Sequence, residues 1–164
     1  MTVMLEKLKF AKGIDPVANG FAGTVRSDVY NLAQHGRVLF VVYCGVGTTG
    51  TSTITVNACD DITPSNRTAI PFWYREILTT DVDGAITLAT TAGFTTTAGS
   101  SRLALVEADA RLVGAASVNG VYGCHFVEMT MIESAASAVL GGVMAILGGF
   151  PLRYAKQVNT TVLA

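Results

Sequence analysis

Two consecutive runs, RVLFVVYC at 37–44 and TSTITVNAC at 51–59, restrict what this chain can fold into. Both are dense in β-branched side chains, which lose χ1 freedom against the preceding turn of a helix and fit a pleated sheet instead. In the second run Ser52, Ile54, Val56 and Ala58 fall on one face, with Thr51, Thr53, Thr55, Asn57 and Cys59 on the other. That period of two is the pattern of a half-buried strand. Similar runs separated by turn signals recur to the end, and no segment longer than the N-terminal dozen residues shows a helical period. Strands are expected near 23–30, 37–44, 51–59, 69–78, 85–90, 102–108, 122–133 and 139–147. Asp83-Gly84 and Asn119-Gly120 offer the positive φ of tight turns, and Pro64-Ser65-Asn66 interrupts any ladder. The expected fold is all-β, a single β-sandwich domain over residues 1–164 of jelly-roll or Greek-key type. Extended segments flank it, an N-terminal arm over 1–22 and a C-terminal tail over 154–164.

Between the two runs lies Gly45-Val46-Gly47-Thr48-Thr49-Gly50, a literal G-x-G-x-x-G. As a dinucleotide fingerprint it works only when the glycines end a strand and open a helix, whose N-terminal amides then hold the pyrophosphate. The residues after Gly50 form a strand pattern, and Asp60 and Asp61 follow sooner than the roughly 20 residues the ribose contact needs. The stretch therefore reads as a flexible hairpin connection that binds no nucleotide, and no cofactor is expected.

Composition narrows the function classes. Half of the 164 residues are hydrophobic, enough for a substantial core in one domain. Charged residues make up 14% and the net charge is −1, which gives no electrostatic footprint for nucleic acid or an anionic membrane. Low charge with abundant apolar surface favours association, so the composition hints at assembly. Cys44, Cys59 and Cys124 are odd in number and lack C-x-x-C spacing, and they read as three buried thiols in a reducing compartment. The N-terminus lacks the continuous apolar core and cleavage site of a signal peptide. The uncharged stretch at 135–150 falls short of the roughly 18 to 20 residues of a membrane helix and carries two Gly-Gly pairs, so it reads as a fully buried strand.

Catalytic chemistry has little to work with. His35 sits in a turn and His125 beside Phe126 in a strand, with nothing in sequence to join a nucleophile, a base and an orienting carboxylate. Asp60-Asp61 with Asp81 and Asp83 lack the calcium-loop pattern and read as turn caps, so no metal is expected. Glu128 and Glu133 fall on opposite faces of one strand and read as rim charges. Trp73, in IPFWYRE, lies on the face opposite Phe72 and Tyr74, which suits one interface anchor beside two core contacts. The sequons at Asn66 and Asn159 carry no weight without a secretory signal.

Four blocks, GTTGTSTITVNACDD, PSNRTAIPFWYRE, TTAGSSRLALVEADA and ESAASAVLGGVMAILGGFPLRY, together resemble the head decoration or cement proteins of tailed bacteriophages. The resemblance covers most of the chain after about Asp15 and includes no catalytic signature. It implies a noncatalytic β-sandwich protein of the virion, made in the host cytoplasm and seated on the outer capsid surface. Its partners would be the major capsid protein, whose subunits it bridges, and itself, as a homodimer or homotrimer; neither nucleic acid nor membrane is implied. The expected interface residues are Asp60, Asp61, Pro64 and Asn66 in a polar loop, Trp73 and Arg75, Phe94 in a small-residue loop, and Tyr154 in the tail. The alternatives are a tail or head-completion component, or a carbohydrate- or receptor-binding module with Trp73 on an exposed shelf.

Overall fold

The computed structural model describes residues 8–47, 49–78 and 82–148. Its strands are β1 (Lys9–Val17), β2 (Thr24–Arg26), β3 (Tyr30–Asn31), β4 (Arg37–Cys44), β5 (Thr51–Cys59) and β6 (Arg67–Ile70). They continue with β7 (Phe72–Ile77), β8 (Thr87–Ala89), β9 (Phe94–Thr95), β10 (Arg102–Asp109), β11 (Phe126–Ala135) and β12 (Gly141–Gly148). Among the described residues one short helix, α1 (Ala110–Ala115), follows β10.

Two antiparallel sheets pack face to face. The first runs β1-β12-β4-β10-β7-β8 and the second β2-β11-β5-β6, with β3 also on β11 and β9 also on β5. The links β1 to β2, β4 to β5, β6 to β7 and β11 to β12 each cross from one sheet to the other. With β10 set aside, β1-β12-β4-β7 faces β2-β11-β5-β6, which is the strand order of a jelly roll. The sandwich is closed by alternation: Val38, Phe40 and Val42 of β4 meet Ile54, Val56 and Ala58 of β5 and Val127, Met129 and Met131 of β11 in one buried cluster. Tyr30 and Phe40 meet edge to face at 5.7 Å, and the Tyr30 hydroxyl donates to the Lys12 carbonyl. At one end Asp109 caps α1 by accepting from the Arg111 amide at 2.8 Å, and fully buried Val113 and Val118 plug the space between the sheets.

Several local expectations change. The glycine stretch at 45–50 is followed by a strand, but it is no hairpin: β4 and β5 belong to different sheets, and the stretch carries the chain between them. Its glycines serve close approach, since a Cβ at Gly47 would lie 2.9 Å from Val139 Cγ2 and one at Gly50 2.5 Å from the Ser137 carbonyl. The run 69–78 is two strands, because Pro71 has no N–H to give a ladder and the chain changes sheet there. Residues 9–17, expected within an N-terminal arm, form edge strand β1 against β12; a half-exposed edge holding Gly13 and Pro16 carries a weak strand signal. Asn119 and Gly120 do take positive φ, 50° and 81°, between the mutually bonded Val118 and Val121. Gly84 is not among the positive-φ residues; it presses on Glu76 instead, its amide donating to that carbonyl at 2.9 Å.

Candidate interaction surfaces

The two sheets present opposite chemistries outward. On the second sheet the outward residues are mostly polar and bonded across the strands, with Ile132 an exposed apolar exception. Thr53 shares hydroxyl bonds with Thr95 at 2.9 Å and Ser134 at 2.8 Å, and Asn57 donates to Thr130 at 3.0 Å. Beside them Glu128 is only 2% exposed, which corrects its reading as a rim charge. Arg67 reaches over β5 and donates from Nε to both carboxylate oxygens, at 2.9 and 3.2 Å, while Arg26 Nε lies 3.3 Å away on the other side. A carboxylate on a sheet face becomes buried here because two long guanidinium side chains from other strands fold over it. The same cover buries Cys59, whose thiol burial pushes up to about 12, with Glu128 adding to the rise. Cys44 and Cys124 are also buried, and all three thiols are free. Burial raises Cys44 as well.

The first sheet is different. Its register lines up one outward row, Phe10, Ile146, Leu39, Glu107, Trp73 and Leu88, across all six strands. A second row holds Lys12, Met144, Val41, Leu105 and Arg75, and a third Gly142, Tyr43, Leu103 and Ile77. Phe10, Tyr43, Trp73, Leu88 and Met144 are each at least 41% exposed. The ionic groups among them are mostly neutralised on the spot: Glu107 accepts from Arg37 and Arg75 donates to Asp83, both at 2.7 Å. Lys12 pairs with Asp15 at the sheet edge. Monomeric proteins seldom leave so continuous an apolar face to water.

The eight expected interface residues scatter. Asp60, Asp61, Pro64 and Asn66 lie in the loop closing the β5–β6 hairpin, where Asp60 accepts from the Asn66 amide at 3.1 Å and from its Nδ2 at 2.8 Å. Those bonds, the side-chain one first, hold the Asp60 carboxyl below its ordinary range. Trp73 and Arg75 share the apolar face. Phe94 is a correction: it is 8% exposed, with its ring stacked on Tyr74 at 3.7 Å and tilted against Phe72 at 6.2 Å. Gly93, at φ +78°, lets the loop lie on β5, where any Cβ would strike the Ile54 carbonyl at 2.0 Å. Tyr154, the tail at 154–164, Asp81 and Asn159 lie outside the described residues.

At the end of the sandwich near the glycine stretch, Arg102 is 4% exposed. Its Nη2 donates to the Gly50 carbonyl at 3.1 Å, and its Nη1 stands 4.0 Å from Glu76, which Thr97 holds through its amide and hydroxyl at 2.9 and 2.7 Å. This buried charge ties the sheets together where the chain crosses between them. Neither Arg102 nor Glu128 is visible as buried in sequence, where each is one charged residue on an alternating strand. Among the described residues no group of three or more His, Cys, Asp or Glu side chains is placed to hold a metal ion. His35 is half-buried, which lowers its pKa, and His125 is exposed.

No protein-family model and no curated protein matches the chain. One solved structure is similar, the crystal structure of the SPBc2 prophage-derived protein YomS, at 14% identity and a TM-score of 0.45. The match covers 85% of this chain and 91% of that one. A likeness of that size decides nothing about function.

Proposed function

We propose that the chain is a noncatalytic structural protein of a tailed-phage virion, a decoration or cement protein that binds major capsid protein subunits on the outer capsid and works as an oligomer. The observation that carries this reading is the contrast between the two outer faces: one satisfies its own polar groups, and the other presents rows of half-exposed apolar side chains that need a neighbour. The four-block resemblance supplies the virion setting, and jelly rolls are common among viral capsid proteins. Lectins and cupins share that wiring, so the fold by itself chooses nothing.

A protein that binds the assembled lattice but not dissociated subunits stabilises the lattice by mass action, and each additional contact adds to the preference. With a net charge of −1, attachment should depend weakly on salt, unlike a charge-steered encounter. The test is a thermal melt of heads with and without the protein. Heads lacking it should assemble yet release DNA at lower temperature, and added protein should restore the wild-type curve. Identical melts, with a protein that never co-sediments with heads, would refute the assignment.

A further inference from the structure

We propose that two copies of this chain pair through the outer face of the first sheet, stacking sheet on sheet around Val41 and Leu105. This deepens the oligomeric part of the functional reading, but the pairing is a solution property and stands or falls apart from any attachment to heads.

Four features point to a second copy as the occupant. The first is composition: eleven of the fifteen residues in the three outward rows are apolar, among them Phe10, Tyr43, Trp73 and Leu105, with Lys12, Glu107 and Arg75 the charged members. Lasting homodimer interfaces are of this kind, whereas transient contacts with other proteins are about as polar as ordinary surface. The second is charge. Glu107, Arg75 and Lys12 are each paired within the chain, so the face presents no block of one sign for an oppositely charged partner to read or for a copy to repel.

The third is size. The three rows hold fifteen outward residues, and at about 4.8 Å between strands and roughly 7 Å along them these outline on the order of 500 Å² before side-chain relief is counted. With that relief the face approaches the roughly 800 Å² per partner of a standard interface. The fourth is shape. A twisted sheet packs best on a sheet of matching twist about 10 Å away, and a two-fold copy supplies the same twist and the same side chains by symmetry.

The chain contains one tryptophan, Trp73, and it stands on this face at 45% exposure. Its emission therefore reads the face directly. Full-length protein should sediment as a dimer at micromolar concentration, and dilution should shift Trp73 emission to the red in step with the fall to monomer mass. Leu105→Glu and, at a more exposed and tolerant position, Met144→Lys should raise the dissociation constant at least a hundredfold while far-ultraviolet dichroism stays unchanged. Thr55→Glu, on the polar sheet, should leave the dimer intact. Three results would overturn the pairing: monomer mass at all concentrations, a trimer, or a dimer indifferent to both face variants when folded. A monomer with blue, dilution-independent Trp73 emission would show that the chain's own terminal residues cover the face.

Discussion

Arg67→Ala should destabilise the protein several times more than Arg26→Ala, although both arginines flank the same carboxylate. Glu128 is 2% exposed, so its charge depends on its partners. Removing one member of a fully buried ion pair costs about 3–5 kcal/mol, because the remaining charge is left uncompensated. Two features of this site reduce that figure. Arg26 stays at 3.3 Å, and Thr130 donates to the same carboxylate at 3.3 Å. The space vacated by Arg67, itself 32% exposed, also admits water. A loss of about 2–3 kcal/mol is expected, or roughly 5–10 °C in Tm for a domain of this length. Arg26 is half exposed and farther away, so its removal should cost about 0.5–1 kcal/mol, the range of surface pairs. The decisive arm is the double-mutant cycle. In a Glu128→Met background, where no charge is left to strand, Arg67→Ala should cost less than about 1 kcal/mol, a coupling near 2 kcal/mol. Urea denaturation at fixed protein concentration gives these numbers, with the concentration held because an oligomer's stability depends on it. Equal losses for the two arginines, or an Arg67→Ala loss undiminished by Glu128→Met, would refute the account of this buried charge.

Thiol reagents at pH 8 should leave native Cys44, Cys59 and Cys124 almost unlabelled and reach all three in denaturant, since burial holds Cys44 above its ordinary value and Cys59 at about 12; an intact-mass disulfide would contradict this. Asp109 is lowered by its bonds to Arg111 and Asp60 by Asn66, so both contribute stability that is present above the ordinary carboxylate range and lost as pH falls through their lowered values. Asp28, raised by burial, works in the opposite direction and eases as it protonates. Asp109→Ala should therefore cost about 1 kcal/mol at pH 7, as an N-cap does, and progressively less in acid melts; a pH-independent cost would count against this linkage. Calorimetric titration with NAD or ATP should show no saturable heat, and micromolar binding abolished by Gly47→Leu would reverse the reading of the glycine stretch.

Alternation made much of the sandwich legible. The runs 37–44 and 51–59 become β4 and β5 with the expected bounds, and the expected inward set of β5, Ser52, Ile54, Val56 and Ala58, is buried. What alternation cannot supply is which strands become neighbours. The connection after Cys44 looked local, yet β4 takes β12 and β10 as partners, and the glycines answer to Ser137 and Val139 far along the chain. The buried state of Glu128 has the same origin, since it depends on an arginine 61 residues away folding over an intervening strand. Phe94 was misread because a loop of small residues gives no sign of the two-residue pairing with Thr53 and Ile54 that pins its ring on Tyr74. Trp73 was placed opposite Phe72 and Tyr74 by parity alone, and the register puts it on the outward face. That the face is largely apolar follows only once β1, β12, β4, β10 and β7 are set side by side.

The proposed place of this jelly roll is the exterior of a tailed-phage head, and an electron cryo-microscopy reconstruction of the virion whose genome encodes it would show whether it sits there. The expected result is two-layered β-sandwich density repeating with the capsid lattice outside the major capsid protein, into which the chain fits as pairs joined through their first sheets, each polar second sheet turned away from the sister copy. A bare capsid exterior, with the protein found elsewhere in the particle or missing from it, would contradict the claim.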